Sequence, residues 1–217
     1  MMNGEIVINN LAGLLIITSL MVIGVRKPRV VAILYSLQSL VLVLTFVAIA
    51  NTVDAPQLYH WSITAFITKV IALPALLYYA FSKMYDPEAD KPVIHFAWLV
   101  IIGGVITLLS FLAIESVQLP LVAHLKPALS VSLGHFFLGL LCIVSQRNIL
   151  KQLFGYCLME NGSSLTLALL ANKAPGLVEI GVTIDAVFAV IFMIILVKQI
   201  YTKLHTLDAQ QLTTLKG

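Results

Sequence analysis

Long apolar runs, each near 20 residues and each closed by a short polar or basic turn, dominate the chain. A helix needs about 20 apolar residues to cross the ~30 Å hydrocarbon core of a bilayer. Runs of that kind cover residues 6–24, 30–50, 60–82, 94–114, 128–146, 149–171 and 177–200. The pattern predicts an all-α fold, a polytopic bundle of about seven transmembrane helices. The fifth and sixth spans are separated by little more than Gln146-Arg147-Asn148.

A faint repeat runs through the pattern. Val22 to Leu42 (VIGVRKPRVVAILYSLQSLVL) has the layout of Cys142 to Leu167 (CIVSQRNILKQLFGYCLMENGSSLTL). Each is an apolar helix, a tight basic turn and a second helix with polar residues mid-span. Each pair is followed by an outward loop and a third helix carrying one charge, Lys69 in the first and Asp185 in the second. Four spans separate equivalent positions, so the pattern suggests a parallel three-helix repeat joined by the fourth span. The chain then divides into N-terminal helices over 1–114, a three-helix unit over 115–205 and a cytoplasmic tail over 206–217.

Composition sharpens this picture. The chain has 217 residues, 60% of them hydrophobic and 11% charged, with a mean hydropathy of +1.01. A soluble domain is about a quarter charged, so this chain has too little charge to cover itself in water. Arg26, Lys27, Arg29, Lys83, Lys91, Arg147, Lys151, Lys198, Lys203 and Lys216 fall on one side of a seven-span topology, and Lys126 and Lys173 on the other. Cytoplasmic loops hold the basic excess, so the N-terminus is expected outside and the C-terminus inside. The basic residues therefore set orientation, and the net charge of +3 does not point to nucleic acid. Met1 to Asn10 holds Glu5 and no Lys or Arg, unlike a signal peptide, so the first run is expected to remain as a helix.

Three charges interrupt the spans. Glu160 lies near the middle of span six, Asp185 about two turns into span seven, and Lys69 near the middle of span three. A charge at bilayer mid-depth costs at least ~2.5–3.5 kcal/mol, so each is expected to face protein or water. Burial disfavours the charged form of acid and amine alike, which suits such groups to taking up and releasing protons. Asn161 lies beside Glu160 and Ser164 one turn above it, Cys157 lies one turn below it, and Gln38 and Ser39 reach a comparable depth in span two. His135 in span five is a further proton carrier near neutral pH. The alternative for each charge is a structural pair that locks helices together, and for His135 a hydrogen-bonded packing residue.

Other polar residues have plainer readings. Glu5, Glu115 and Glu179 sit near span ends, where headgroups solvate them. Asp86, Glu88 and Asp90, with Lys83 and Lys91, read as a solvated loop. Lys126-Pro127 reads as an interface anchor and helix start. Pro74 is a single kink candidate in span three, and the absence of paired broken helices argues against an independent small-molecule transporter. Cys142 and Cys157 lie inside apolar runs, away from disulfide or zinc spacing. No P-loop, dinucleotide fingerprint or nucleophile elbow occurs, His135 is the one deep histidine, and no iron–sulfur cysteine set exists. No cofactor or metal is expected in the chain.

The stretch Ser132 to Ile200, above all Gln146-Arg-Asn-Ile-Leu-Lys-Gln-Leu-Phe-Gly-Tyr-Cys-Leu-Met-Glu-Asn-Gly162, resembles the three-helix membrane subunit K of respiratory complex I and the C component of multisubunit sodium/proton antiporters. The whole chain, with its closing Leu207 to Gly217 (LDAQQLTTLKG), is similar to the hydrogenase-4 membrane component E family of formate hydrogenlyase-type, group 4 nickel–iron (NiFe) hydrogenase complexes. The resemblance implies a non-catalytic, multi-pass subunit of the bacterial inner membrane within a proton- or cation-translocating arm. Its implied partners are antiporter-like large membrane subunits, a membrane anchor subunit, and soluble hydrogenase and iron–sulfur subunits. In the subunit K family, glutamates on the second and third helices belong to a polar axis along the membrane. Asp185 falls at the third-helix acid. The second-helix acid falls at Cys157, and Glu160 stands one turn later, on nearly the same face. Lys69 has no counterpart there, and is expected to extend the axis into the added N-terminal helices. A sodium/proton antiporter subunit without a redox partner and a structural scaffold are the alternatives.

Overall fold

The computed structural model describes residues 2–84, 86–87, 89, 93–118 and 120–212, of which helix makes up the great majority and no strand is present. The helices are α1 (Met2–Gly24), α2 (Pro28–Val53), α3 (Gln57–Ala65), α4 (Leu73–Lys83), α5 (Phe96–Glu115), α6 (Lys126–Ser145), α7 (Ile149–Leu170), α8 (Gly176–Leu204) and α9 (Ala209–Leu212). A π-helical turn (Phe66–Ala72) joins α3 to α4, so the third span is one continuous rod with an irregular middle. A 3-10 turn (Pro120–Leu125) precedes α6.

Among the described residues six helical stretches are long and apolar enough to cross a membrane: α1, α2, the α3–α4 rod, α5, α6 and α8. The remaining expected span, the sixth in chain order, corresponds to α7, which is 22 residues long, less apolar and not among these six. Its polarity follows from its place inside the bundle, because Lys151, Asn161 and Ser164 are all buried against protein. The expected fold class is therefore found. Helix ends fall within a few residues of the hydropathy boundaries, and α8 runs on to Leu204.

Glycines set the closest helix contact. A Cβ on Gly155 of α7 would stand 2.8 Å from the Gly139 carbonyl of α6, and one on Gly162 would stand 2.6 Å from the Phe136 nitrogen. Real Cβ atoms do not approach backbone that closely, so the α6–α7 hairpin relies on having no side chain at these positions.

Two apolar clusters fill the bundle, one above the other. One holds Val22, Tyr35, Leu73, Leu77, Leu138, Phe154 and Leu158, with Phe154 stacked on Phe81 at 5.7 Å. The other holds Leu15, Leu42, Phe46, Trp61, Ala65, Val131 and Leu165. On every inner helix the break between them falls where the mid-span polar residues lie.

The basic turns gather at one end. Gln146 Nε2 of the α6–α7 turn donates to the Ile23 carbonyl at the end of α1, 3.1 Å away. The segment after α8 folds back over the same end: Ile149 N donates to the Leu207 carbonyl (3.0 Å) and Ala209 N to the Arg147 carbonyl (2.9 Å). Asp86 corrects the sequence reading. It is buried, not solvated, because its Oδ2 accepts from Thr206 Oγ1 (2.9 Å) and from Leu207 N (2.8 Å). Arg147 holds Asp208 through Nε to Oδ1 at 3.1 Å and a second, parallel bond from Nη2 to Oδ2. Glu88, Asp90, Lys91 and Lys216, and the side chain of Glu179, lie outside the described residues. At the opposite end Lys126 opens α6 as expected, and its Nζ donates to the Glu115 carbonyl at 3.3 Å.

Candidate functional site

The layer between the two apolar clusters is polar. It is built by Ser19 on α1, Gln38 and Ser39 on α2, Lys69 on the π turn, His135 on α6, and Glu160, Asn161 and Ser164 on α7.

Lys69 owes its position to the irregular middle of the third span. Pro74 has no N–H, so the carbonyl of Val70 four residues earlier loses its helical donor. Ser36 Oγ of α2 donates to that carbonyl instead, at 2.6 Å. Just before the proline, Leu73 N reaches back five residues to the Thr68 carbonyl, the bond of a π turn. Such single π turns concentrate at functional sites because they re-aim one side chain. Here Lys69 is 0% exposed while Ile67 and Ile71 face outward. Pro74 thus does more than kink the helix, and the irregularity lies in the turn it follows.

Lys69 Nζ donates to Glu160 Oε1 at 2.8 Å and to Ser164 Oγ at 2.7 Å. Ser164, one turn after Glu160, donates to the same carboxylate oxygen at 2.9 Å. The side chains of the ion pair are 1% and 9% exposed. A pair this dry holds only while both members and their hydrogen bonds are kept. Glu160 Oε2 is buried and accepts no hydrogen bond among the described residues.

A second string begins at the next residue. Asn161 Nδ2 donates to Gln38 Oε1 (2.9 Å) and Ser39 Oγ (3.2 Å). Gln38 Nε2 lies 3.1 Å from His135 Nε2, and His135 Nδ1 lies 2.8 Å from Ser19 Oγ. An amide nitrogen only donates, so His135 Nε2 accepts and the ring is neutral with its proton on Nδ1. Ser19 takes that proton's bond and passes its own to the Leu15 carbonyl at 2.6 Å. Protonating the imidazole requires Gln38 to turn its oxygen toward it. Tyr35 and Cys157 lie beside this layer, within electrostatic reach of Glu160, with the Tyr35 hydroxyl close to both Ser39 and Cys157, and Asn161 Oδ1 is buried without a hydrogen bond among the described residues.

Of the four candidates, Lys69, Glu160 and His135 come together in the layer; Asp185 does not join them. It sits on the exposed side of α8, which rests against α3, α4 and α7 and turns Ile184, Phe188 and Phe192 outward. Tyr156 of α7 is within electrostatic reach of both Glu160 and Asp185. Ser19, Ser36 and Tyr35 are site residues that hydropathy did not single out. Their one sequence signal is a polar atom at the depth of Gln38 and Lys69. Among the described residues no cluster of His, Cys, Asp or Glu has the geometry to hold a metal ion.

A family model described as NADH-ubiquinone/plastoquinone oxidoreductase chain 4L matches residues 127–217, the part of the chain that carries α6, α7 and α8. The hydrogenase-4 component E of Escherichia coli (strain K12) is 50% identical over 216 residues, which is 100% of both chains. That of Shigella flexneri is also 50% identical over 100% of both chains. An uncharacterized protein of Mycobacterium tuberculosis is 22% identical over 99% of this chain and 98% of its own. No solved structure matches. Half of all positions shared from end to end is far more than a common membrane composition produces, and this chain belongs to the hydrogenase-4 component E family.

Proposed function

We propose that this chain is an integral membrane subunit of a formate hydrogenlyase- or hydrogenase-4-type complex of the bacterial inner membrane, and that it carries protons along its polar layer while other subunits do the redox chemistry. Membership of the component E family supports the place in the complex. The observation that carries the relay is the buried Lys69–Glu160 pair with one carboxylate oxygen left open. A proton added at Oε2 neutralises Glu160, releases the hold on the Lys69 ammonium and frees it to pass a proton on. His135, held by Gln38, which in turn accepts from Asn161 next to Glu160 in the chain, is the relay on the other side of the pair.

Asp185 continues the path outward past Tyr156. A bare carboxylate on a lipid-facing helix costs ~2.5–3.5 kcal/mol, so this face of α8 is covered by an antiporter-like subunit that solvates it. The basic end of the bundle is the cytoplasmic side on this reading.

The test is Glu160→Gln in the assembled complex. Hydrogenase activity with a soluble electron donor stays intact, while proton movement into sealed vesicles driven by the same complex falls at least tenfold. Equal loss of both activities marks an assembly role, and unchanged transport refutes the relay. Affinity purification through a tag on this chain separates the redox reading from an antiporter without redox partners, because hydrogenase and iron–sulfur subunits accompany it only in the first case.

A further inference from the structure

The back of the π turn is the floor of a groove. On the membrane-facing side, Ala32, Ser36 and Leu40 of α2 and Val70, Pro74 and Ala75 of the third span leave a furrow of about 430 Å³ that opens sideways and is almost wholly apolar. It exists because small residues stand where the helices face each other, and because Ser36 spends its hydroxyl on the Val70 carbonyl. One end of the furrow is closed by Tyr78, whose ring carries the Arg29 guanidinium 5.8 Å from its centroid. Arg29 is exposed, follows Arg26 and Lys27 in the same turn, and makes no ion pair among the described residues. From Arg29 to Leu40 α2 rises roughly 16 Å, which is the depth of one leaflet of a ~30 Å hydrocarbon core.

We propose that this groove holds one acyl chain of an anionic phospholipid whose phosphate rests on Arg29. The furrow has the length of a single leaflet, almost wholly apolar walls, and a cation only at the end where a headgroup lies. A guanidinium over an aromatic ring still has donors free for a phosphate, and basic sites between membrane helices are where anionic headgroups settle. The chain would pack against Val70 and Pro74, the face of the π turn opposite Lys69, so the lipid backs the turn that presents Lys69 to Glu160. The proposal rests on the groove alone and stands whichever ion the complex moves.

The experiment uses the complex purified through a tag on this chain, stripped of lipid with detergent and titrated with phosphatidylglycerol or phosphatidylcholine under native mass spectrometry. Phosphatidylglycerol is expected to bind this chain preferentially, and Arg29→Gln to erase that preference, about fivefold for one interfacial cation. Ala75→Phe fills the furrow from an exposed position and is expected to remove binding of both lipids while the complex stays assembled. Equal binding of both lipids to the unaltered chain, or unchanged binding in Ala75→Phe, overturns the proposal. So does a photoactivatable residue at position 75 that crosslinks to another subunit in native membranes, because the groove is then a protein interface.

Discussion

Removing one member of the Lys69–Glu160 pair is the most informative perturbation this bundle offers. At 2.8 Å and an effective dielectric near 20, the two charges attract by about 6 kcal/mol. Most of that offsets the cost of drying both ions, several kcal/mol each, so the pair contributes little net stability when intact. Lys69→Met leaves Glu160 buried with Ser164 as its one donor, and the expected loss is about 3–5 kcal/mol. Glu160→Gln strands the ammonium instead and is expected to cost nearly as much. Lys69→Met combined with Glu160→Gln removes both charges at almost constant volume, and its deficit should fall to about 1 kcal/mol. Cys142 and Cys157 are both buried, so a thiol-reactive fluorogenic dye reports unfolding in detergent. At ~2–4 °C per kcal/mol for a chain of this length, each single variant melts roughly 6–20 °C early and the double variant only a few degrees early. A double variant as unstable as the two single losses added together refutes the mutual dependence. The double variant also separates scaffold from relay: a stable bundle that still assembles but moves no protons shows that the charges serve transport.

Ser36→Ala takes the donor from the Val70 carbonyl and should cost about 1–3 kcal/mol in the same melt, more than other exposed or half-buried Ser→Ala changes in the chain. Gly155→Val drives a side chain into the Gly139 carbonyl and is expected to abolish recovery of folded protein, whereas Gly104→Ala, with nothing within 4 Å, should raise stability by up to ~1 kcal/mol. The Arg147 guanidinium holds the Asp208 carboxyl below the usual carboxylate range. Its contribution is therefore full above the unfolded value near ~3.9 and lost as pH falls through the lower folded value. Asp208→Asn should melt early at neutral pH and converge on the unaltered chain in strong acid, and a constant difference across that range would count against the pairing.

Hydropathy alone locates the spans because lipid imposes one demand along every helix, and the shortage of charge makes Lys69, Glu160 and Asp185 conspicuous. Their partners are not legible. Lys69 and Glu160 are 91 residues apart, and it is the π turn that brings the lysine round to the acid. Pro74 is the visible trace of that turn, since a proline mid-span orphans the carbonyl four residues earlier. Asp185 looks equivalent to Glu160 in the sequence, yet it points outward. α8 is apolar on every side, so nothing in its pattern distinguishes a face toward its own bundle from a face toward another subunit. Asp86 departs from its sequence context for a related reason. A carboxylate in a charged loop is usually solvated, and the donors that bury it come from Thr206 and Leu207, the first of them 120 residues later.

That last contact ties the bundle to the order in which it is made. Thr206, Leu207 and Asp208 reach the loop after α4 and the turn between α6 and α7 at once. In chain order these contacts with Asp86 and Arg147 can form only after α8 has been made, so they are late contacts of the bundle. Closure of this clasp therefore needs α4, the α6–α7 turn and the end of α8 to stand together at one end of the bundle. A chain stopped before residue 206 would lack these two donors to Asp86 and the carboxylate held by Arg147, and the loop after α4 and the α6–α7 turn would no longer be tied together through the segment after α8.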